Sequence, residues 1–231
     1  MMNKVLCSLL LFLSISCGLQ GRNANYARDS KRIWLDSKEI HHGEYVWKMK
    51  KAGDVISSAE KVSTLGYDTS DWLSAIVPGT VLNSLVYNKE YPEPYYGVNN
   101  KLESGKIPDI SKVGREFYTY WFRTEFDVPE SFAGKTIWLQ PDGVNYRAEI
   151  WVNGNLLSTL NGMFISDYIN VTDFVKVGRK NILAVKVYPV DVPGTTMPKS
   201  WGATGEFHNG GNGNIGLNTT MLMSVGWDFT F

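Results

Sequence analysis

The residue pair best suited to ligand chemistry lies near the C-terminus, in the stretch Gly226 to Phe229. The indole of Trp227 offers a flat face on which the apolar C–H face of a sugar ring can stack. The neighbouring carboxylate of Asp228 can accept hydrogen bonds from two sugar hydroxyls. The pair therefore suits a sugar subsite. A buried Trp beside an exposed Asp explains the same two residues without a ligand, and the motif alone leaves this alternative open.

Other kinds of catalytic site find little support. His41, His42 and His208 are the only histidines in the sequence, and no pair of them has the spacing of a zinc-binding helix. No G-x-S-x-G elbow is present to supply a serine nucleophile. Aspartates and glutamates are plentiful, but a glycosidase needs two carboxylates at a spatial separation that composition cannot reveal. We therefore expect no metal and no cofactor.

A glycine-rich run near the C-terminus imitates a nucleotide-binding motif. Residues 211–216 fit the pattern G-x-G-x-x-G, which binds a dinucleotide only between a strand and a helix. Here the pattern lies in a Gly/Asn-rich run, from Gly205 to Asn218, that no helical pattern follows. We interpret this run as a surface loop. The sequence has 23 basic and 23 acidic residues, and this zero net charge argues against a nucleic-acid partner.

The N-terminus has the pattern of an export signal. Lys4 precedes an apolar run from Val5 to Ile15 that is too short to cross a bilayer. Residues 13–17 resemble a bacterial lipobox, except that Ser14 stands where an apolar residue is usual. Two outcomes therefore remain open: a lipid on Cys17, or ordinary cleavage nearby that discards Cys17.

This pattern sets the predicted domain organisation. We predict a signal peptide over residues 1–20, a flexible tether over 21–30 and one domain over 31–231. The protein would be exported, to the periplasm, the outer membrane or the exterior of a bacterium, and would contact a membrane only through a lipid on Cys17. Cys7 lies within the signal, so the domain itself has no cysteine and no disulfide.

Short strands are the elements that would position the Trp-Asp pair. In residues 118–128 one face is mostly apolar, whereas Arg123, Glu125 and Asp127 on the other face are expected to meet water. The dipeptide Asn153-Gly154 predicts a two-residue hairpin. Thr80 caps the one predicted helix. The remaining predicted strands lie at residues 33–35, 45–47, 137–140, 146–152 and 183–187. Many short strands separated by turns predict a two-sheet sandwich.

The sequence from Pro94 to Pro193 resembles the N-terminal sugar-binding domain of glycoside hydrolase family 2, in the β-mannosidase and exo-β-glucosaminidase branch. Four stretches carry the resemblance in the family's order: Pro94 to Asn100, where Val98 replaces a lysine; Tyr120 to Phe126; Asp142 to Gly154; and Asp173 to Val187.

This resemblance implies an all-β, jelly-roll or galactose-binding-like β-sandwich with one short helix. In β-mannosidase-like relatives a Gly-Trp-Asp-Trp loop of this domain binds the non-reducing sugar. Trp227 and Asp228 match that loop, whereas Phe229 stands in place of its second Trp. The implied partner is carbohydrate that ends in β-linked mannose or glucosamine.

The resemblance also implies that catalysis lies elsewhere. Family members carry their two catalytic carboxylates on a later (β/α)₈ barrel, with the acid/base commonly in an Asn-Glu pair, which this sequence lacks. We expect a binding domain of an exported glycosidase that is inactive alone. A stand-alone lectin-like module and a purely structural bracing domain are the alternatives. We also expect the sandwich to lack its final strand, which would leave an unpaired edge and favour association.

Overall fold

The computed structural model of the chain describes residues 13–18, 31–99, 101–108, 113–162 and 165–189. Within these ranges the chain is built mainly from strands. The strands are β1 (Leu13–Gly18), β2 (Lys31–Trp34), β3 (Trp47–Lys51), β4 (Leu73–Ser74), β5 (Tyr120–Asp127), β6 (Thr136–Pro141), β7 (Arg147–Val152), β8 (Asn155–Asn161), β9 (Ile169–Asn170) and β10 (Lys180–Tyr188). The α-helices are α1 (Ala59–Val62) and α2 (Val81–Tyr87).

The strands form two antiparallel sheets. The smaller sheet has the order β2-β1-β6-β9, and the larger has the order β4-β3-β5-β10-β7-β8. The main hydrophobic core takes side chains from both sheets, among them Ile137 and Leu139 of β6 and Phe122, Phe126 and Leu183 of the larger sheet. The predicted all-β sandwich is therefore confirmed, because each sheet buries one apolar face against the other.

Three local predictions hold in detail. Asn153 and Gly154 join β7 to β8 with positive φ angles of 47° and 88°, as a two-residue hairpin requires. The side chain of Thr80 caps α2 by accepting a hydrogen bond from the amide of Asn83. The inner residues of β10, such as Leu183 and Val185, lie in the core.

The outer face of β5 differs from the prediction. Arg123 is only 3% exposed, although the alternation of β5 suggested that it meets water. Its Nε donates to the carbonyl of Val62 at 3.0 Å, and its Nη2 donates to that of Thr64 at 2.9 Å. The segment that supplies these carbonyls includes α1, which the sequence did not predict. A second small core under this segment contains Val62, Trp72, Trp121, Trp151 and Ala184.

Strand β1 lies inside the predicted signal peptide. It pairs with β2 on one side and with β6 on the other, so that it holds a central place in the smaller sheet. This arrangement concerns the chain before any processing, and cleavage of residues 1–20 stays a prediction. Among the described residues, no helix is long and apolar enough to cross a membrane.

Candidate functional site

Of the three predicted site residues, the structure describes only Cys17. Trp227 and Asp228 lie outside the described residues. Cys17 lies in β1, where its backbone is paired with Lys31 and Ile137. The described structure does show where the segment that carries Trp227 and Asp228 begins, because β10 ends at Tyr188.

Five strands of the larger sheet have one of their two ends beside the end of β10. Val187 is paired with Tyr120, Tyr188 with Arg147, Arg147 with Asn161, and Lys51 with Tyr120. We call the terminal residues Lys51, Tyr120, Arg147, Asn161 and Tyr188 the Tyr188 end. The chain continues from this end towards Trp227 and Asp228.

Tyrosines gather at the Tyr188 end. Tyr120 is 6% exposed, and burial raises its pKa to about 12, with smaller contributions from Tyr91, Asp54 and Glu90. Burial also raises the pKa of Tyr91, and a hydrogen bond between the side chains of Tyr91 and Tyr118 partly opposes this rise. These two phenols therefore remain protonated at neutral pH, so they can act as hydrogen-bond donors but not as general bases.

A cation and further polar groups complete this end. The ammonium of Lys51 lies 4.2 Å from the ring centroid of Phe117, which makes an edge contact with Tyr118. On the outer face, Glu149 accepts hydrogen bonds from the Tyr188 hydroxyl at 2.6 Å and from the Trp151 indole at 3.1 Å. Because Glu149 holds the ring of Tyr188, the last residue of β10 has a defined orientation.

The loop that follows α2 is anchored to the same end. Tyr91, at the start of the loop, packs against the main core. The hydroxyl of Tyr118 donates to the carbonyl of Pro108 at 3.2 Å. The two anchored points of the loop, at Tyr91 and Pro108, therefore lie beside the Tyr188 end. From the sequence alone, the stretch from Pro94 to Asn100 indicates only the family, and no binding role is predicted for Tyr95 or Tyr96.

Two buried polar atoms in the stretch from β6 to β7 lack hydrogen-bond partners among the described residues. They are the Oε1 of Gln140, at the end of β6, and the Oδ1 of Asn145, just before β7. The residue after Asn145 joins the Tyr188 end, because the amide of Tyr146 donates to the carbonyl of Tyr188 at 3.0 Å. Both atoms are acceptors, so the surroundings favour a donor such as an amide or a hydroxyl.

A concave region lies at the other end of β5. It is an open groove of about 580 Å³, and its lining includes Lys48, Arg123, Glu125, Asp127 and Lys180. Three of its charged groups lie close together, since Glu125 is 3.2 Å from Lys180 and 4.0 Å from Arg123. Burial lowers the pKa of Arg123, and the charge of Glu125 opposes this shift. Because Asp127 and Tyr120 are opposite termini of β5, the groove is separate from the Tyr188 end.

A metal site finds no support among the described residues. Among them, no cluster of three or more His, Cys, Asp or Glu side chains has the arrangement of a metal site. The Tyr188 end provides aromatic rings, neutral phenol hydroxyls and the cationic side chains of Lys51 and Arg147. Such groups can bind a polar ligand that also has apolar faces.

Comparisons with known proteins agree with this architecture. Residues 47–230 match the family model described as "Glycosyl hydrolase 2 galactose-binding domain-like". The chain is 38% identical over 161 residues to the mannosylglycoprotein endo-beta-mannosidase of Lilium longiflorum, covering 70% of this chain and 16% of that protein. It is 29% identical over 149 residues to the exo-beta-D-glucosaminidase of Amycolatopsis orientalis, covering 63% of this chain and 13% of that protein.

A solved structure shows the same fold. The exo-chitosanase of Amycolatopsis orientalis, in complex with PNP-beta-D-glucosamine, superposes with a TM-score of 0.53 at 27% identity, covering 63% of this chain and 16% of that chain. The chain therefore spans no more than about one sixth of these relatives. The family match over most of the sequence and the two-sheet sandwich together show that the chain belongs to the galactose-binding-like, N-terminal domain family of glycosyl hydrolase family 2.

Proposed function

We propose that this chain is the carbohydrate-binding N-terminal domain of an exported family 2 glycosidase that acts on β-linked mannose or glucosamine ends during the breakdown of polysaccharides or glycans. The observation that carries the proposal is the family match over residues 47–230, together with relatives named as a β-mannosidase and a β-glucosaminidase. Hydrolysis itself would take place on a (β/α)₈ barrel of the larger protein.

Trp227 and Asp228 would contact the terminal sugar. The indole would stack on the C–H face of the ring, and the carboxylate would accept hydrogen bonds from two hydroxyls. The proposal is supported by the end of β10, the last described strand before these residues in the sequence, which lies among aromatic rings and neutral phenols. Fixing the terminal sugar would contribute to catalysis by holding the reacting bond in position.

Export would follow from the N-terminal segment. Residues 1–20 would direct the chain out of the cytoplasm, and a lipid on Cys17 would hold it at a membrane surface. The intact mass of the protein purified from a bacterial envelope tests both points. A mass that retains residues 1–20 would contradict export by cleavage, and a mass without a lipid would contradict the anchor.

The role of Asp228 is tested by sugar binding. In the full chain, Asp228→Ala should weaken binding of mannose or glucosamine about tenfold to a hundredfold, because a hydrogen-bonded charged group contributes about 1.5–3 kcal/mol. Ligand-observed NMR titration of each sugar measures the effect. The control is Asp173→Ala, which removes an exposed acid from the turn before β10 and should leave the affinity unchanged.

Each alternative function predicts a different result. If the domain only braces an enzyme, Asp228→Ala leaves sugar affinity intact. If the chain is a stand-alone lectin-like module, the gene has a genuine stop after Phe231 and the protein binds sugar without any attached barrel. An in-frame barrel with two catalytic carboxylates after Phe231 supports the glycosidase.

A further inference from the structure

The loop that follows α2 presents an aromatic side chain to solvent. Tyr96 is 77% exposed and Tyr95 is 49% exposed, although large aromatic side chains are usually buried at least in part. Val98, also exposed, extends the same apolar surface. A tyrosine this exposed contributes little to the core, so its place on the loop calls for another explanation.

The loop is ordered by its own hydrogen bonds. The amide of Tyr96 donates to the carbonyl of Glu93 at 3.2 Å, and the amide of Asn99 donates to the carbonyl of Tyr96 at 3.2 Å. The buried Asn99 side chain joins the two ends of the loop. Its Nδ2 donates to the Glu93 carbonyl at 2.8 Å, and its Oδ1 accepts from the ammonium of Lys106 at 2.8 Å.

Glycine and proline add to this order. Gly97 adopts a positive φ of 60°, which allows the chain to turn directly after Tyr96. Pro92 and Pro94 restrict the backbone before it. Because the loop backbone is already fixed, binding of a ligand to the Tyr96 ring costs little conformational entropy of the loop.

The loop stands beside the Tyr188 end. Tyr91, at its start, is linked by a side-chain hydrogen bond to Tyr118 and influences the ionisation of Tyr120. Tyr120 is paired with Val187, one residue before the end of β10. The loop that carries the exposed tyrosine and the last residues of β10 therefore lie at the same end of the sandwich.

We propose that Tyr96, assisted by Tyr95, forms a second sugar subsite that stacks on a pyranose ring beyond the terminal sugar. The inference rests on the proposed function, in which Trp227 and Asp228 contact the terminal sugar. β-Linked pyranoses with equatorial substituents carry their axial C–H bonds on a flat apolar face, and a phenol ring can cover that face. The phenolic hydroxyl can also exchange hydrogen bonds with sugar hydroxyls.

The size of the patch favours a sugar over a protein partner. A stable protein interface buries about 800 Å² on each partner and involves about 20–30 residues on each side. Within residues 91–99 of this loop, the exposed apolar side chains are Tyr95, Tyr96 and Val98, and their neighbours Glu93 and Lys101 are charged. One or two aromatic rings with polar surroundings match the area of a single pyranose.

The test compares a tetrasaccharide with a monosaccharide. We expect the full chain to bind β-1,4-linked mannotetraose or the glucosamine tetramer more tightly than mannose or glucosamine. Tyr96→Ala should weaken tetrasaccharide binding about threefold to tenfold, as loss of an aromatic contact does, and leave monosaccharide binding unchanged. Tyr96→Phe should retain most of the affinity, because the ring persists.

A matched control excludes a general effect of removing a surface tyrosine. Tyr87 on α2 is 53% exposed, and Tyr87→Ala should leave both affinities unchanged. The subsite is refuted if Tyr96→Ala and Tyr87→Ala act alike, or if the unaltered chain binds the tetrasaccharide no more tightly than the monosaccharide. Asp228→Ala should weaken binding of both the monosaccharide and the tetrasaccharide, whereas Tyr96→Ala should weaken only tetrasaccharide binding. This difference distinguishes the terminal subsite from the second subsite. Absence of any sugar binding refutes the proposed function and the second subsite together.

Discussion

At the residue scale, the phenol of Tyr120 couples protonation to folding. Tyr120 lies on the inner face of β5 among apolar side chains, and burial raises its pKa from the ordinary tyrosine value of 10.0 to about 12. The folded state therefore binds this proton more tightly than the unfolded chain does. The resulting stability is fully present below about pH 10 and is lost as the pH rises towards 12.

This coupling gives a pH prediction. Between pH 10 and pH 12 the free energy of unfolding should fall by up to about 1.4 kcal/mol per pH unit through Tyr120, and Tyr120→Phe should remove this part of the slope. Urea denaturation at several pH values measures it. Tyr96→Phe, at an exposed site, is the control and should keep the original slope. Identical slopes in the two variants would contradict the assignment to Tyr120.

At the scale of elements, the hairpin between β7 and β8 is held by more than its own turn. Asn153 has a positive φ, and its Oδ1 accepts a hydrogen bond from the amide of Ile182 in β10 at 2.9 Å. Its Nδ2 donates to the carbonyl of Phe174 at 2.7 Å and to the Oδ1 of Asn181 at 2.8 Å. The turn therefore connects the hairpin to the neighbouring strand and to the loop before it.

Replacing this asparagine should destabilise the sandwich. Asn153→Ala removes three hydrogen bonds and a side chain that tolerates positive φ, so we expect a loss of about 2–4 kcal/mol in the free energy of unfolding. Urea denaturation measures the loss. Asn155→Ala is the matched control, because its side chain is exposed and bonds only within the turn. Equal effects of the two substitutions would show that the connection to β10 contributes nothing.

At the scale of the whole molecule, the smaller sheet depends on the predicted leader. Strand β1 separates β2 from β6, and β1 is the strand with which β2 pairs in the described part of the chain. Removal of β1 would leave two facing strand edges with unpaired amides and carbonyls. Such edges favour association with another strand or another chain.

Two N-terminal deletions test this dependence. A chain that lacks residues 1–20 should be less stable, form oligomers in gel filtration and exchange the β6 amides of Trp138 and Gln140, which face β1, faster with deuterium. A chain that lacks only residues 1–12 keeps β1 and should behave like the full chain. A sharp monomer peak and unchanged exchange after the longer deletion would contradict the prediction.

Local sequence patterns predict several strands, one turn and one helix cap of this protein. The strand alternation of β5, β7 and β10, the Asn153-Gly154 turn and the Thr80 cap each depend on neighbours within a few residues, so the sequence alone predicts them. The family stretches and the Trp227-Asp228 pair were also readable without coordinates, although their proposed contacts with sugar remain predictions.

Contacts between distant residues were decided by the tertiary structure. Arg123 is buried because the segment around α1 folds over the outer face of β5, and its partners are about sixty residues away in the sequence. Tyr91, Tyr118 and Tyr120 meet because a long loop returns to the start of β5. The alternation of a strand tells which residues share a face, but which segment covers that face depends on how the whole chain packs.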